Sequence, residues 1–229
     1  TQGVSSAASD VYKRQEPNIH YISPYTLTGL SALLYAHNPR KLIVHAPYTY
    51  ECSNELPLRH HCRKRGLLIS GANDPSLYPL RDQARRAAAL LPAAISGIHR
   101  LRHPGYPDIG HSLNHNIIGR AYIQRMAEYT HSFSCSSSYR IELLKYREIA
   151  YAGCVPVGDL PFSLIECPPS AQKPWRKNWP LLAYHVRALT TRDSEQLAIE
   201  FREFMKRKRD KALLSSKVNS CIINLSSSL

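Results

Sequence analysis

The sequence predicts an α/β fold, a Rossmann-like parallel sheet with flanking helices. Short apolar runs alternate along the chain with segments whose apolar residues recur at helical spacing, which gives a β-α-β-α order. The run GLLISG at 66–71 is continuous and apolar, as in a parallel strand covered on both faces. It ends in a glycine and leads into a helical segment, which is typical of nucleotide-binding α/β units.

The first part of the chain is expected to contribute little to this sheet. Residues 1–15 are polar without periodicity and are interpreted as a non-native or disordered segment. Residues 16–65 are expected to hold a linker and the first βα elements, with a helix at 25–35 and a short strand, KLIVH, at 41–45. We expect the native protein to continue upstream of this sequence.

The polar stretch before the GLLISG run contains residues that can ligate a metal. Cys52, His60, His61 and Cys62 follow a C-x7-H-H-C spacing. Structural zinc sites typically use two closely spaced pairs of ligands, and this spacing lacks them. An ordinary basic loop is therefore favoured, with a zinc site as the alternative, and no metal is assigned.

Residues 66–211 are predicted to form one Rossmann-like domain. A turn at 71–75 leads from the first strand into a helix at 77–91. Because one glycine loop occurs in many α/β domains, it does not by itself specify a nucleotide site. The inner side of the helix is predicted to be formed by Leu80, Ala84, Ala87, Ala88 and Leu91.

Further strands and a helix continue this alternation. Strands are predicted at 98–103, 130–135 and 154–157, and a helix at 119–129. The strand THSFSC at 130–135 carries the small polar side chains of a strand end that faces a ligand. The glycine- and proline-rich loop at 103–107 is predicted to form the edge of a pocket.

The helix predicted at 141–152 lies between the last two of these strands. The serines at 136–138 are predicted to cap it, and Gly153 is predicted to end it in the left-handed conformation. Lys145 and Glu148 are three residues apart and share a face, so a solvated salt bridge worth under about 1 kcal/mol is the simplest interpretation. The residues predicted to face the core are Leu144, Ile149 and Ala152.

The C-terminal part is predicted to add one strand and one helix. Residues 162–179 form a proline-rich loop with two tryptophans, and a strand follows at 183–188. Asp193 is predicted to cap the last helix, with Gln196 completing a capping box. Residues 212–229 are serine-rich and are expected to be a frayed tail. The inner stripe of the helix is predicted to comprise Leu197, Phe201, Phe204 and Met205.

Composition narrows the class of protein. A chain of 229 residues with 43% hydrophobic residues can bury one good core, and its formal net charge of +13 favours anionic partners. These partners include nucleotide diphosphates, nucleic acid and an anionic membrane surface. The sequence has no zinc finger, helix-turn-helix or aromatic RNA-binding motif, so nucleic acid is not expected. The six irregularly spaced cysteines and the lack of a membrane-spanning apolar run predict a cytoplasmic or membrane-peripheral protein.

Two segments of the predicted domain resemble one enzyme family. The string KYREIA at 145–150, followed by AG at 152–153 and VPV at 155–157, resembles the donor-binding segment of GT-B glycosyltransferases. This segment lies in their C-terminal domain, and the closest type is the spore-coat-like, group 1 type. The residues SG at 70–71, followed by YPLR at 78–81, are similar to the first strand and helix of the same domain.

The resemblance implies a glycosyltransferase with a nucleotide-diphosphate sugar as donor substrate, an unknown acceptor and no separate cofactor. In that group a glutamate at the position of Glu148 holds the ribose hydroxyls, and a lysine at the position of Lys145 lies near the diphosphate. The loop before Ile141 is expected to supply backbone amides to the diphosphate, and Arg81 and Arg140 to supply further cations. The donor-binding residues implied are Gly71, Arg81, Ser138, Tyr139, Arg140, Lys145, Tyr146 and Glu148.

Two features depart from the family. Many GT-B enzymes have a first glutamate eight positions before the ribose-binding one, and this sequence has Arg140 there. The substitution argues against the retaining mechanism of that subfamily. The acceptor domain of a complete GT-B enzyme is not recognised in this sequence, so a fragment is expected and no catalytic residue is assigned. Two alternatives stay open, a nucleotide-binding fragment without transferase activity and a basic nucleic-acid-binding module.

Overall fold

The structure, a computed structural model, describes residues 21–23, 43–90, 92–93, 97–103, 117–164, 173–174 and 191–226. The chain divides into two units, Thr1–Thr49 with Arg209–Leu229 and Tyr50–Lys208. In the first unit, β1 (Tyr21–Ser23) pairs in parallel with β2 (Ile43–His45). The second of these strands lies within the run predicted at 41–45.

The unit Tyr50–Lys208 is built on a parallel sheet. Its strands are β3 (Lys64–Ile69), β4 (Ile98–Arg100), β5 (Tyr129–Ser134), β6 (Val155–Gly158) and the two-residue β7 (Lys173–Pro174). They lie in the order β4-β3-β5-β6-β7, and every neighbouring pair is parallel. The first four coincide, within about two residues at their starts and three at their ends, with apolar runs identified in the sequence.

Helices flank the sheet. They are α1 (Pro79–Leu90), α2 (Gly119–Met126), α3 (Lys145–Ala152) and α4 (Thr191–Lys208), and the other unit contains α5 (Lys211–Ser226). Single 3₁₀ turns lie at Cys52–Asn54, His60–Cys62 and Phe162–Leu164. The predicted fold class, a Rossmann-like parallel sheet with flanking helices, is confirmed.

Two hydrophobic clusters pack against the sheet. Because successive residues of a strand point to opposite faces, Leu68 joins one cluster and Leu67 and Ile69 join the other. Burying one such leucine or isoleucine stabilises the fold by roughly 1.5–3 kcal/mol. The first cluster draws on α2, α3 and α4 through Met126, Tyr146, Ile149, Phe201 and Met205. The second contains Ala84, Ala88, Phe133 and Val157.

Helix α3 begins later than the helix predicted at 141–152. The serines at 136–138 do not cap it, because residues 137–140 first form a separate turn, and its N-cap residue Leu144 makes no side-chain cap hydrogen bond. Leu144 was predicted to face the core, but it precedes the first full turn and is 48% exposed. Gly153 ends the helix with φ 64° and ψ 43°, which confirms the predicted left-handed cap. The other predicted core residues, Ile149 and Ala152, are buried.

Helix α4 begins at Thr191, two residues before the predicted cap. Asp193 therefore lies within the first turn, and Gln196 donates its side-chain amide to Glu200 at 3.3 Å instead of closing a capping box. Where the sequence predicted a frayed tail at 212–229, the structure has helix α5 up to Ser226. Of the predicted inner stripe of α4, Leu197 is half-buried, and the others are buried: Phe201, Phe204 and Met205.

Some predicted elements fall outside the described residues. They are the segment 1–15, the helix at 25–35, the loop that follows His103, most of the loop at 162–179 and the strand at 183–188. Among the helices that are described, none combines the length and the apolar character needed to cross a bilayer.

Candidate functional site

The strand order reverses between β3 and β5. The chain passes from β3 to β4 on one side, and the next strand, β5, lies on the other side of β3. In open α/β sheets, ligands bind at the carboxyl ends of the strands where the strand order reverses in this way. The segments that leave this point are Ser70 and Gly71 after β3 and the turn at 136–140 after β5.

Gly71 brings two cations together at this point. Its φ is +101°, a conformation that favours glycine. A Cβ atom placed on Gly71 would lie 3.0 Å from Nη1 of Arg81 and 3.2 Å from Nζ of Lys145. The side chains of Arg81 on α1 and Lys145 on α3 therefore converge on Gly71. Any larger residue at position 71 would press against both.

Arg81 is almost fully buried, with 2% of its surface exposed. Its Nη1 donates to the carbonyl of Ala72 at 2.8 Å, and its guanidinium lies 4.2 Å from the centroid of the Tyr78 ring. Its Nε is buried and has no hydrogen-bond partner among the described residues. One helical turn later, Arg85 donates to the carbonyls of Gly71 and Leu101 at 3.0 Å and 2.9 Å.

Lys145 reaches across from α3 to the end of β3. Its ammonium donates to the carbonyl and the hydroxyl of Ser70, each at 2.8 Å, and to the hydroxyl of Tyr122. Burial, and then the charge of Arg81, lower the pKa of Lys145 well below its ordinary value, while Glu148 acts in the opposite direction. Among the described residues, the groups that accept hydrogen bonds from this amine are all neutral.

Glu148 does not form the salt bridge that its spacing from Lys145 suggested. No ion pair or hydrogen bond engages its carboxylate within the part of the chain that the structure describes. Its side chain is half-buried, and burial raises its pKa, opposed by the charges of Lys145 and Arg147. A partly exposed carboxylate without a partner has all its acceptor capacity available for a ligand.

The turn at 136–140 does not offer the backbone amides that the sequence led us to expect. The amides of Ser138, Arg140 and Ile141 donate to carbonyls of Leu77, Ser137 and Ser136, respectively. The amide of Ser136 donates to the carboxylate of Asp159. These amides are already engaged and are not available to a diphosphate. At the start of α3, the amides of Leu143, Leu144 and Lys145 donate no hydrogen bond to any described residue.

The remaining predicted residues lie around this group in different ways. Arg140 forms an ion pair with Asp159 at 3.2 Å, so its charge is already engaged. Ser138 donates its hydroxyl to the carbonyl of Ser76, and Tyr139 lies beside it in the turn. Tyr146 is fully buried and donates its hydroxyl to the carbonyl of Asp159 at 2.8 Å, so it packs beneath the turn.

The structure thus gathers three of the predicted residues and adds several others. Gly71, Arg81 and Lys145 meet at the end of β3. Glu148 follows Lys145 by three residues on α3, and its charge acts on Lys145 and Tyr122. The residues that were not predicted for the site from the sequence are Ser70, Arg85, Tyr122 and Asp159. Only Arg85 carried a local signal, because it follows Arg81 by four residues and therefore shares its helix face.

The histidine and cysteine segment forms no comparable cluster. Nε2 of His60 lies 2.7 Å from the carbonyl of Gly153, and its Nδ1 lies 2.9 Å from the hydroxyl of Ser194. The thiols of Cys52 and Cys62 are free and exposed. Within the described ranges, no three histidine, cysteine or acidic side chains are grouped as a metal site requires. His60 serves as a packed link between α3 and α4.

Comparison with known proteins adds no identification. The sequence matches no protein-family model and no curated protein.

Proposed function

We propose that the unit Tyr50–Lys208 binds the diphosphate of a nucleotide-sugar donor at the carboxyl ends of β3 and β5 and serves as the donor-binding part of a glycosyltransferase. The observation that carries this proposal is the convergence of Arg81 and Lys145 on Gly71. Both cations are buried at the point where α/β sheets bind ligands, and neither has a carboxylate within 4.0 Å among the described residues.

The electrostatics favour an anionic ligand at this point. Holding unpaired cations away from water is costly, and an anion offsets that cost. The free amides at the start of α3 add to the attraction, because helix N-termini bind phosphate groups. A charge-assisted hydrogen bond from one such cation contributes roughly 1.5–3 kcal/mol.

Glycosyl transfer suits these groups. When the bond between sugar and phosphate breaks, negative charge develops on the departing nucleoside diphosphate, and preorganised cations stabilise it. Lys145 and Arg81 would take this role, while Glu148 would accept hydrogen bonds from the ribose hydroxyls. The choice of glycosyl transfer over other diphosphate chemistry rests on the resemblance of segments 70–81 and 145–157 to GT-B donor domains. The acceptor is unassigned, and we place the reaction in the cytoplasm or at an anionic membrane surface.

Calorimetric titration of the full chain with UDP, GDP and ADP tests this proposal. We expect saturable binding of one nucleotide and a loss of about ten- to a hundredfold in affinity for Lys145→Met. Lys64→Met is the matched control, since Lys64 is an exposed lysine at the opposite end of β3, paired with Glu128 at 3.1 Å. Glu148→Gln should weaken nucleotide binding but leave inorganic pyrophosphate binding unchanged.

A folded parent chain that binds none of the three nucleotides would contradict the proposal. The net charge of +13 motivates one alternative, a nucleic-acid-binding module. Binding to random oligonucleotides that weakens steeply with salt, and is equal in the Lys145→Met and parent chains, would favour that alternative.

A further inference from the structure

A strained turn adjoins the proposed diphosphate site. Residues 136–140 connect β5 to the segment before α3, and two of them, Ser137 and Arg140, have φ values of 67° and 55°. These values are unfavourable for residues other than glycine, and such conformations persist only where surrounding contacts hold them. The contacts that hold this turn therefore decide its position.

The carboxylate of Asp159 makes three of these contacts from the end of the neighbouring strand. Its Oδ1 accepts from the amide of Ser136 at 2.9 Å, and its Oδ2 accepts from the hydroxyl of Ser136 at 2.6 Å. The same Oδ2 accepts from Nη1 of Arg140 at 3.2 Å. The carboxylate thus binds both ends of the turn, Ser136 and Arg140. The backbone carbonyl of Asp159 accepts a hydrogen bond from the hydroxyl of Tyr146 in the first turn of α3.

The residue before Asp159 explains how this carboxylate comes so close. Gly158 is paired in register with Ser134 at the ends of β6 and β5, with a φ of +142°. A Cβ atom on Gly158 would collide with the carbonyl oxygen of Ser134. The lack of a side chain lets the two strand ends approach, which brings Asp159 beside the residues that follow Ser134.

The far side of the turn packs on the segment that leads into α1. The hydroxyl of Ser138 donates to the carbonyl of Ser76 at 2.7 Å, and its amide donates to the carbonyl of Leu77 at 2.9 Å. Arg81 follows these residues in the first turn of α1. A displacement of the turn would therefore move the start of α1, the helix that carries Arg81.

We infer that Asp159 is a positioning residue of the proposed diphosphate site. It holds the turn at 136–140 against the start of α1 and so fixes where Arg81 meets Lys145. Its effect on nucleotide binding rests on the proposed function, whereas its hold on the turn does not.

The experiment combines hydrogen exchange with nucleotide titration in Asp159→Ala. We expect the amides of Ser138 and Ile141 to exchange faster, α4 to keep its protection, and nucleotide affinity to fall about tenfold through misplacement of the cations. Glu128→Ala is the matched control, because it removes a carboxylate paired with Arg125 at the opposite edge of the sheet. That variant should match the parent chain in both measurements.

A second substitution separates positioning from a general loss of structure. Glycine adopts positive φ without strain, so Ser137→Gly added to Asp159→Ala should restore part of the protection and part of the affinity. Unchanged exchange in Asp159→Ala, or faster exchange with unchanged affinity, would overturn the inference. If the parent chain binds no nucleotide, the proposed function fails, and the exchange rates alone then decide whether Asp159 holds the turn.

Discussion

The two ends of helix α3 both meet buried cations, but in opposite electrostatic settings. At the C-terminal end, Arg202 donates to the carbonyls of Ala150 and Tyr151 at 2.9 Å and 3.1 Å, and Arg63 donates to the carbonyl of Gly153 at 2.8 Å. The last carbonyls of a helix have no partners within it and form the negative end of its dipole. The cations at this end therefore stabilise the helix by donating hydrogen bonds to its last carbonyls.

At the N-terminal end of α3, the cations are repelled by the helix dipole. Lys145 and Arg81 lie near the amide end of α3, which is the positive end of its dipole. Within the described part of the chain, Lys145 donates to neutral groups alone, on Ser70 and Tyr122. Such an arrangement lowers the stability of the free protein and gains most from a bound anion.

The comparison separates two uses of the same residue types on one short helix. A buried cation that pairs with helix carbonyls and a carboxylate serves stability. One that lies beside a second cation, with no carboxylate within 4.0 Å among the described residues, serves binding. The C-terminal end should therefore respond to substitution in unfolding experiments, and the N-terminal end in nucleotide titrations. Each of the following predictions tests this division.

The largest effect is expected for Arg202→Met. Arg202 lies 3.5 Å from Glu55 and donates to the carbonyls of Leu56, Ala150 and Tyr151, so its removal breaks three charge-assisted hydrogen bonds and leaves Glu55 with Lys206 as its cation. The free energy of unfolding should fall by about 3–5 kcal/mol, since a hydrogen bond from a charged group contributes about 1.5–3 kcal/mol, and urea denaturation followed by circular dichroism measures this. Arg207→Met, at an exposed position of the same helix, should change it little. Equal midpoints for the two variants would contradict a stabilising role of this end.

Two glycines provide a matched pair across the helix. Alanine at Gly153 would collide with the side chain of Leu58 and lie 2.7 Å from Nη2 of Arg202, at a φ of +64°. We expect Gly153→Ala to lower the free energy of unfolding by about 2 kcal/mol or more without changing nucleotide affinity. Gly71→Ala should instead affect binding more than stability, because its methyl group presses on Arg81 and Lys145. It should lower the free energy of unfolding by about 1–2 kcal/mol. It should also weaken nucleotide binding, which Gly153→Ala should leave unchanged.

Proton uptake should accompany nucleotide binding at the N-terminal end. The pKa of Lys145 is lowered in the free protein, and a bound anion would raise it. Between the two pKa values the complex holds a proton that the free protein lacks, so affinity should fall as pH rises through this window, with uptake of up to about one proton. Titrations in buffers of different ionisation enthalpy measure this uptake. It should persist in Glu148→Gln and vanish in Lys145→Met, and identical enthalpies in all buffers would rule it out.

The sequence predicted the sheet better than the chemistry of the site, and the reason is the distance over which each is determined. Apolar runs and the glycine at Gly153 act within a few residues, so strands and the end of α3 were predictable. Spacing alone paired Lys145 with Glu148, whereas its actual partner Ser70 lies 75 residues earlier in the chain. The hold of Asp159 on the turn depends on a strand register that no local pattern reveals.

The smallest effect is expected from His60 at the C-terminal end. Burial lowers its pKa, partly offset by its bond to Gly153, and the nearby charges of Arg63 and Arg202 lower it while Glu195 raises it. In the unfolded chain its pKa returns to about 6.5, so that state takes up a proton first as pH falls. Stability should therefore decrease below about pH 6.5, by no more than about 1.4 kcal/mol per pH unit. Urea midpoints across this range measure the slope, which His60→Asn should reduce. His60 links the C-terminal end of α3 to α4 and does not contact the diphosphate site. His60→Asn should therefore leave the proton uptake on nucleotide binding unchanged. A change in that uptake would show that the two ends of α3 are coupled.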